Sequence, residues 1–285
     1  MFYVTRTTKP SYLTDESSEG AQAIATATTL LADSSKGLTF DEPTHTYTFH
    51  GKQIPCVSDI VEFFAPFDSK WMATLCAKNP KHKLYGKSAE EIMNIWEEKR
   101  DKAAKEGTEI HRFGEACFNY LRWKDDELDE EFRARITPFG LMAATPKEVA
   151  VAKWWQNLEL ERYVPVAKET RIVNPVLGYA GTFDLLLYDL ANHVYLLKDY
   201  KTNEELFKAY GKLKAPLSVL ESSSHGKYTV QQNLYCLQLT NIGIDVNGID
   251  LIWLKSDGNA QEVNIGNYME LVSYAITQKN LNKLN

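Results

Sequence analysis

The residues best suited to chemistry lie in the segment 178–202, which reads GYAGTFDLLLYDLANHVYLLKDYKT. Asp184 and Asp199 are 15 positions apart with turn-forming residues near Asn192, so two neighbouring strands would bring both carboxylates to one end of a sheet. Adjacent carboxylates repel each other unless a cation lies between them, which predicts a divalent metal ion. Lys201 follows Asp199 by two residues, so the period of a strand turns both side chains to one face.

An acid pair, a metal ion and an ammonium group around one point suit the hydrolysis of phosphodiester bonds. The metal ion would polarise the phosphate and lower the pKa of a bound water. Lys201 would orient that water and stabilise the developing negative charge. The alternative is that Asp199 and Lys201 lie at an ordinary strand edge and that GTFD (181–184) is only a turn. This segment alone leaves both interpretations open.

Motifs along the chain resemble those of the PD-(D/E)XK nuclease superfamily, beginning with GTFD followed by DYK. Three further features are similar to its RecB-type exonuclease branch: a GxxIHxxxE helix, an acid ahead of the GTxD strand and a QxxxY helix. The matching residues here are Gly107, Ile110, His111, Glu115, Glu169, Gln231 and Tyr235. The resemblance covers about residues 40–255 and includes HTYTFHGKQIPCVSDIVEFF (45–64), which is similar to the lead-in of phage and mitochondrial single-strand exonucleases.

The resemblance implies a role for most of these residues. The implied metal ligands are His111, Asp184, Asp199 and the backbone carbonyl of Tyr200. Lys201 would be the catalytic lysine, and Gln231 and Tyr235 would support the site or the DNA, with Gln232 as a competitor for the role of Gln231. The implied cofactor is Mg²⁺ or Mn²⁺.

Two acids of the resemblance keep alternative roles. Glu115 lies one helical turn after His111 and would either orient it or be an ordinary solvated acid. Glu169 would approach a second metal ion or pair with Arg171 or Lys168.

The sequence also departs from some relatives of this type. Its four cysteines, Cys56, Cys76, Cys117 and Cys236, contain no CxxC pair and no group near the C-terminal end, so no iron–sulfur cluster is expected. The sequence has no Walker A motif, so no helicase motor is expected. The protein would act alone or with a separate recombination or replication protein partner.

The composition suits a globular protein, with 285 residues, 44% hydrophobic and 25% charged. No apolar run is long enough for a membrane span, and the N-terminus lacks a signal peptide, so we expect a cytoplasmic protein, in the host cytoplasm if a phage encodes it. The net charge of −6 argues mildly against a protein that coats DNA. The lysines between Lys81 and Lys105 would be a solvated face or line a passage for the strand, with Tyr85 and Trp96 stacking on bases.

The periodicity divides the chain into three parts. Residues 1–36 predict an N-terminal helical appendage, 37–163 a mainly helical part that carries the His111 motif, and 164–285 an α/β catalytic core with the GTFD, DYK and QxxxY motifs. A hairpin is expected at 44–54, and one helix or two in sequence between 88 and 123. The core order of helix, three strands, helix and strand predicts a mixed sheet flanked by helices, and the resemblance implies a restriction-endonuclease-like αβββαβ core.

The function expected from the sequence is a metal-dependent deoxyribonuclease, an exonuclease acting on DNA ends or single strands in replication, recombination or repair. A structure-specific endonuclease is the nearest alternative. An alternative from another functional class is a DNA-binding subunit that keeps the nuclease fold without activity. An RNA nuclease or another metal hydrolase is a weaker alternative. The sequence indicates neither the direction of digestion nor a preference for single- or double-stranded DNA.

Overall fold

A computed structural model of the protein describes residues 2–281, so Met1 of the predicted appendage and residues 282–285 of the predicted core lie outside the described residues. The helices are α1 (Glu19–Ser34), α2 (Val57–Phe64), α3 (Ser69–Lys78), α4 (Ala89–Leu121), α5 (Glu130–Arg133), α6 (Pro146–Asn157), α7 (Ser224–Asn241) and α8 (Met269–Leu281). The strands are β1 (Phe2–Val4), β2 (Leu38–Asp41), β3 (Thr46–Phe49), β4 (Lys52–Ile54), β5 (Ile136–Thr137), β6 (Gly140–Ala143), β7 (Tyr163–Asn174), β8 (Tyr179–Asp189), β9 (Val194–Lys201), β10 (Val246–Leu254) and β11 (Ala260–Asn264).

The central sheet has five strands in the order β11-β10-β9-β8-β7. Strands β7, β8 and β9 form the predicted antiparallel meander. Strand β10 then pairs parallel with β9, because the chain crosses back through α7 before it enters the sheet. The predicted α/β class with a mixed sheet is therefore confirmed, while β11, which pairs antiparallel with β10, was not predicted.

Helices cover both faces of this sheet. On one face, buried side chains of α1, α2, α7 and α8 pack together with Phe183, Leu186 and Leu251. On the other face, α4 and α6 pack against Leu185, Leu187 and Ile252. Because both faces are covered, the middle strands are almost continuously apolar, and the few acids and lysines within them are conspicuous.

The N-terminal part of the chain belongs to this packing. Strand β1 pairs with β6, and α1 packs against β7 with Ala23, Ala27 and Leu31 in the main core. Within the described part of the predicted appendage, Glu19–Ser34 forms an α-helix, and this helix contributes directly to the core. The expected hairpin is also present, since β3 and β4 pair across a turn in which His50 and Gly51 both have positive φ.

A single helix, α4, fills the region in which one helix or two were expected. Its first turn is fixed by a capping box in which Ser88 and Glu91 bond each other's backbone amides. The last third, from Ile110 onward, is mostly buried against the sheet, whereas 97–106 are exposed on every side. At 1.5 Å per residue, its 33 residues extend for about 50 Å, so α4 reaches well beyond the sheet.

The turn between β8 and β9 depends on Asp189. Its carboxylate accepts bonds from the Arg162 guanidinium at 2.9 and 3.0 Å, from the Ala191 amide and from the Asn192 side chain. The bond from Arg162 is the main reason that the pKa of Asp189 falls to about 2. Since the folded pKa is below the unfolded value, the stabilisation is complete above about pH 4 and is lost as the pH falls towards 2.

We therefore expect Asp189→Asn to lower the free energy of unfolding by about 1 kcal/mol at neutral pH, a modest value because solvent screens the partly exposed Arg162. The difference between the variant and the wild type should shrink as the pH falls below 4. Urea unfolding at several pH values measures it, and a difference that stays constant down to pH 2 would contradict this account.

Among the described residues, no helix combines the length and the apolar character needed to cross a membrane.

Candidate metal centre

Three possible metal ligands meet where α4 crosses the sheet. His111 of α4 lies between Glu169 of β7 and Asp184 of β8. Its Nδ1 is 3.0 Å from a Glu169 carboxylate oxygen and 3.4 Å from an Asp184 carboxylate oxygen. All three potential ligand atoms lie within 4.8 Å of one another, which is close enough for one ion to contact them together.

Glu169 reaches this group through an unusual backbone conformation. Its φ is +37°, in a region that a residue with a side chain rarely adopts within a strand. Strand β7 also carries a bulge a few residues earlier, between Pro165 and Ala167. Such a conformation costs about 1–3 kcal/mol and persists only where the surroundings hold it, which is common at functional sites.

Asp199 and Lys201 form a buried ion pair beside this group. They project from the same side of β9, as the strand period predicts. Burial and the negative charge of Asp184 raise the pKa of Asp199 to about 7, against the lowering effect of Lys201. Burial alone would lower the pKa of Lys201, but the charges of Asp199 and Asp184 outweigh burial and raise it.

The negative charge of the site also acts on His111. Burial alone would lower the pKa of His111, yet the carboxylates of Asp184 and Glu169 together raise it to about 9. Burial raises the pKa of Asp184, and Glu169 adds to this, although the positive charge of His111 acts in the opposite direction. A proton on His111 thus offsets part of the excess negative charge, a role that a divalent cation fills more completely.

Tyr200 ties the two aspartate strands together. Its amide donates a hydrogen bond of 2.9 Å to Asp184. Its ring faces α4 and α6, where it contacts the rings of His111 and Trp154. Gly114 of α4 allows this contact, because a Cβ at Gly114 would lie 2.7 Å from the Tyr200 ring. The role of the Tyr200 carbonyl as a ligand stays a prediction.

Gly114→Ala should therefore push α4 away from β9 and displace His111, which lies three residues earlier on the helix. We expect a loss of about 1–3 kcal/mol of stability through overpacking. Affinity for Mn²⁺, measured by isothermal titration calorimetry, should fall at least about 10-fold because a displacement near 1 Å is costly in such sites.

Gly107→Ala is the matched control for this variant. Gly107 lies on the same helix, and a Cβ at this position would meet only open space. The substitution should therefore raise stability by up to about 1 kcal/mol and leave Mn²⁺ affinity unchanged. Equal effects of the two substitutions on Mn²⁺ affinity would rule out the proposed contact as the cause.

Helix α7 supplies a third side of the site. The Lys201 ammonium lies 4.6 Å from the centre of the Tyr228 ring, and the Tyr228 hydroxyl donates to Asn203. Tyr235 is buried close to Gly181, where a Cβ would lie 2.6 Å from its ring. Burial first, and then the charges of Asp199 and Asp184, raise the pKa of Tyr235, which places this hydroxyl near both carboxylates.

Gln231 lies between the two tyrosines on α7. Its side-chain oxygen is buried and has no hydrogen-bond partner within the described part of the chain. Its competitor Gln232 is fully buried, in contrast to the half-buried Gln231. Tyr228 was not predicted, although its position three residues before Gln231 and seven before Tyr235 puts all three on one helical face.

The two further acids, Glu115 and Glu169, have different partners in the structure. Glu115 forms an ion pair of 2.6 Å with Lys168, so it is neither free in solvent nor the nearest partner of His111. Glu169 pairs with His111 and not with Arg171 or Lys168. The group of close ligand atoms thus contains Glu169, whereas the carboxylate of Asp199 is engaged by Lys201.

A buried lysine that the sequence analysis missed supports the end of β9. The Lys147 ammonium of α6 donates to the Thr202 carbonyl at 3.1 Å and forms an ion pair of 3.3 Å with Glu106 of α4. It therefore links α4, which carries His111, to the strand that carries Lys201.

The donors fit a divalent cation of intermediate to hard character. One imidazole nitrogen and two carboxylate oxygens suit Mn²⁺ and are acceptable for Mg²⁺, which favours oxygen. The buried acids around Asp184 further favour a bound cation, because His111 and Lys201 are their nearest positive charges. All four cysteines are free, and none of them belongs to the ligand group found among the described residues.

Comparison of the sequence with models of known protein families and with curated proteins finds no match.

Proposed function

We propose that this chain is a divalent-metal-dependent DNA nuclease of the PD-(D/E)XK type. The observation that carries the proposal is the meeting of His111, Glu169 and Asp184 with the buried Asp199–Lys201 ion pair at one place on the sheet. Metal-dependent hydrolysis of a phosphodiester requires side chains that bind a metal ion and a positive group that stabilises negative charge. The three possible ligands and the buried Lys201 ammonium supply both.

The order of the central elements supports the same proposal. Helix α4 precedes the meander β7-β8-β9, α7 follows it, and β10 then adds in parallel to β9. We infer a restriction-endonuclease-like αβββαβ core, into which α5, α6 and the small sheet of β1, β6 and β5 are inserted or added. In this arrangement His111 of α4, Asp184 of β8 and Lys201 of β9 meet at one site, with Tyr228 of α7 beside Lys201.

Each side chain would have a defined task in hydrolysis. His111, Glu169 and Asp184 would hold Mg²⁺ or Mn²⁺, with His111 giving up its proton. The bound cation would polarise the phosphate and favour ionisation of the attacking water. Lys201 would donate hydrogen bonds to the phosphate oxygen on which negative charge develops, and Asp199 holds its ammonium in position.

Residues of α7 would complete the pocket. The ring of Tyr228 covers one side of the Lys201 ammonium and limits its movement. The unpaired side-chain oxygen of Gln231 is available to accept a hydrogen bond, either from water or from a substrate. The Tyr235 hydroxyl lies deeper, near the acids, and would fix their positions.

We put forward an exonuclease acting on DNA ends or single strands in replication, recombination or repair. Incubation of the purified protein with end-labelled single- and double-stranded oligonucleotides, with Mg²⁺, Mn²⁺ or EDTA, tests this function. Cleavage should require the metal ion, and blocking the 5′ or the 3′ end in turn should abolish it for one end only. Cleavage in EDTA, or no cleavage of any DNA with either ion, would overturn the proposal.

A further inference from the structure

A helical arm extends from the site along α4. We use this name for residues 67–109, which comprise Phe67, α3, the loop 79–88 and the first part of α4. Within α4, Ile92 is the one buried residue between 89 and 109, and the stretch 97–106 is exposed throughout. The first part of α4 is therefore joined to the core through the continuation of the helix that carries His111 and through the ion pair between Glu106 and Lys147 of α6.

Large apolar side chains of the arm face solvent. Phe67, next to the start of α3, is 61% exposed, Trp71 is 58% exposed and Tyr85 in the loop is 56% exposed. Trp71, Leu75 and Lys78 follow one another at intervals of four and three residues, so they line one face of α3. Apolar side chains that are exposed together on one surface are a feature of interaction sites.

The charge of the same segment is opposite to that of the whole chain. Five lysines and one aspartate lie between Asp68 and Lys87, whereas the chain as a whole has a net charge of −6. All five lysines are exposed, and none forms an ion pair with another described residue. Exposed ammonium groups on the same segment as exposed aromatic rings are complementary to phosphates and unpaired bases.

We propose that the arm binds an unpaired DNA strand, with Phe67 and Trp71 stacking on bases and the lysines of α3 and its following loop contacting phosphates. The inference rests on the proposed nuclease function and deepens it. Paired bases expose no ring faces along a duplex, so this surface selects single strands. Trp96, expected from the sequence to stack on bases, instead packs against Phe67 with ring centres 5.9 Å apart and supports that ring from behind.

The distance between the arm and the metal centre follows from the length of α4. Trp96 precedes His111 by 15 residues on one continuous helix, which corresponds to about 22 Å along its axis. A strand held on Phe67 and Trp71 would therefore need a few nucleotides to reach His111. Very short substrates would reach the metal centre without contacting the arm.

The test combines two measurements on Phe67→Ala/Trp71→Ala, a variant expected to fold because both side chains are exposed. The first is fluorescence anisotropy in EDTA with labelled oligothymidine of about 12 nucleotides, a length within the usual range of such sites, together with oligouridine and a DNA duplex. The second is Mn²⁺-dependent hydrolysis of bis(p-nitrophenyl) phosphate, which is too small to reach the arm. Tyr274→Ala is the matched control, since Tyr274 is 55% exposed but lies on α8.

We expect the wild type and Tyr274→Ala to bind oligothymidine at least 10-fold more tightly than duplex, and the arm variant to lose at least 10-fold of this affinity. Hydrolysis of the small substrate should be unchanged. Unchanged oligothymidine binding in the arm variant, equal binding of duplex or no binding by the wild type would overturn the inference. Equal binding of oligouridine would show that the arm does not distinguish RNA from DNA, and this result would overturn the choice of DNA as its ligand. If the arm variant loses binding but no protein hydrolyses any phosphodiester, the arm is supported and the nuclease proposal fails.

Discussion

Lys201→Met is expected to lower the rate of DNA cleavage by about 100- to 1000-fold, the usual cost of removing one donor that stabilises negative charge in a transition state. Lys201 is the largely buried ammonium group beside the three-ligand group, and methionine keeps its length and apolar stem. Binding of Mn²⁺ should persist, because His111, Glu169 and Asp184 are unchanged. Single-turnover cleavage of a labelled oligonucleotide measures the rate.

Lys198→Met is the matched control for this variant. Lys198 is also buried on β9, but its ammonium pairs with Asp250 and Glu262, and its position three residues from Lys201 places it on the other face of the strand. Its loss should lower stability by about 1–3 kcal/mol, because the half-buried Asp250 would lose its charged partner, and leave the cleavage rate of the folded protein unchanged. A similar loss of rate in both variants would show that Lys201 acts only through stability.

Asp184→Asn should stabilise the protein in the absence of metal and abolish its stabilisation by metal. Burial and Glu169 raise the pKa of Asp184, so its charge is unfavourable in the folded state, and asparagine removes it while keeping an acceptor for the Tyr200 amide. We expect a gain of about 1 kcal/mol, or about 2 °C in Tm. Such gains are common where a site is built for function and not for stability.

The same variant should respond little to added metal ions. A ligand at 100 times its Kd stabilises the folded state by about 2.7 kcal/mol, and this effect should be present in the wild type and lost in Asp184→Asn. Thermal unfolding in EDTA and in rising Mn²⁺ measures both effects. Asp189→Asn, on the same strand but with a lowered pKa, should show the opposite pattern, with lower stability and an intact response to metal. A fall in stability of Asp184→Asn in EDTA would contradict the view that this charge is unfavourable.

The central sheet could be predicted from the sequence because its strands are long, apolar and separated by turn residues. The positions of Asp184, Asp199 and Lys201 followed from the strand period, and their proximity is a consequence of the meander. The helix in the region of α4 and the helix after the three strands, where α7 lies, followed from periodicity. Local rules determine these features, so the residues alone were sufficient.

The parts that were missed or left open depend on contacts between distant segments. The sequence named Glu169 but left its partner open, because its approach to His111 depends on a positive φ and a neighbouring bulge, which no residue pattern encodes. The packing of α1 against β7 depends on a small apolar stripe that is equally compatible with an independent helix. Similarly, the sequence could not tell that Trp96 supports Phe67 while Phe67 and Trp71 remain open to solvent.

The claim on which the rest depends is that one cation binds between α4, β7 and β8. Crystals soaked in Mn²⁺ would test it directly through the anomalous scattering of manganese. We predict a peak in contact with the His111 Nδ1 and with carboxylate oxygens of Glu169 and Asp184, and its absence in crystals of Asp184→Asn. A manganese peak elsewhere, or none at this position in a protein that cleaves DNA, would contradict the account.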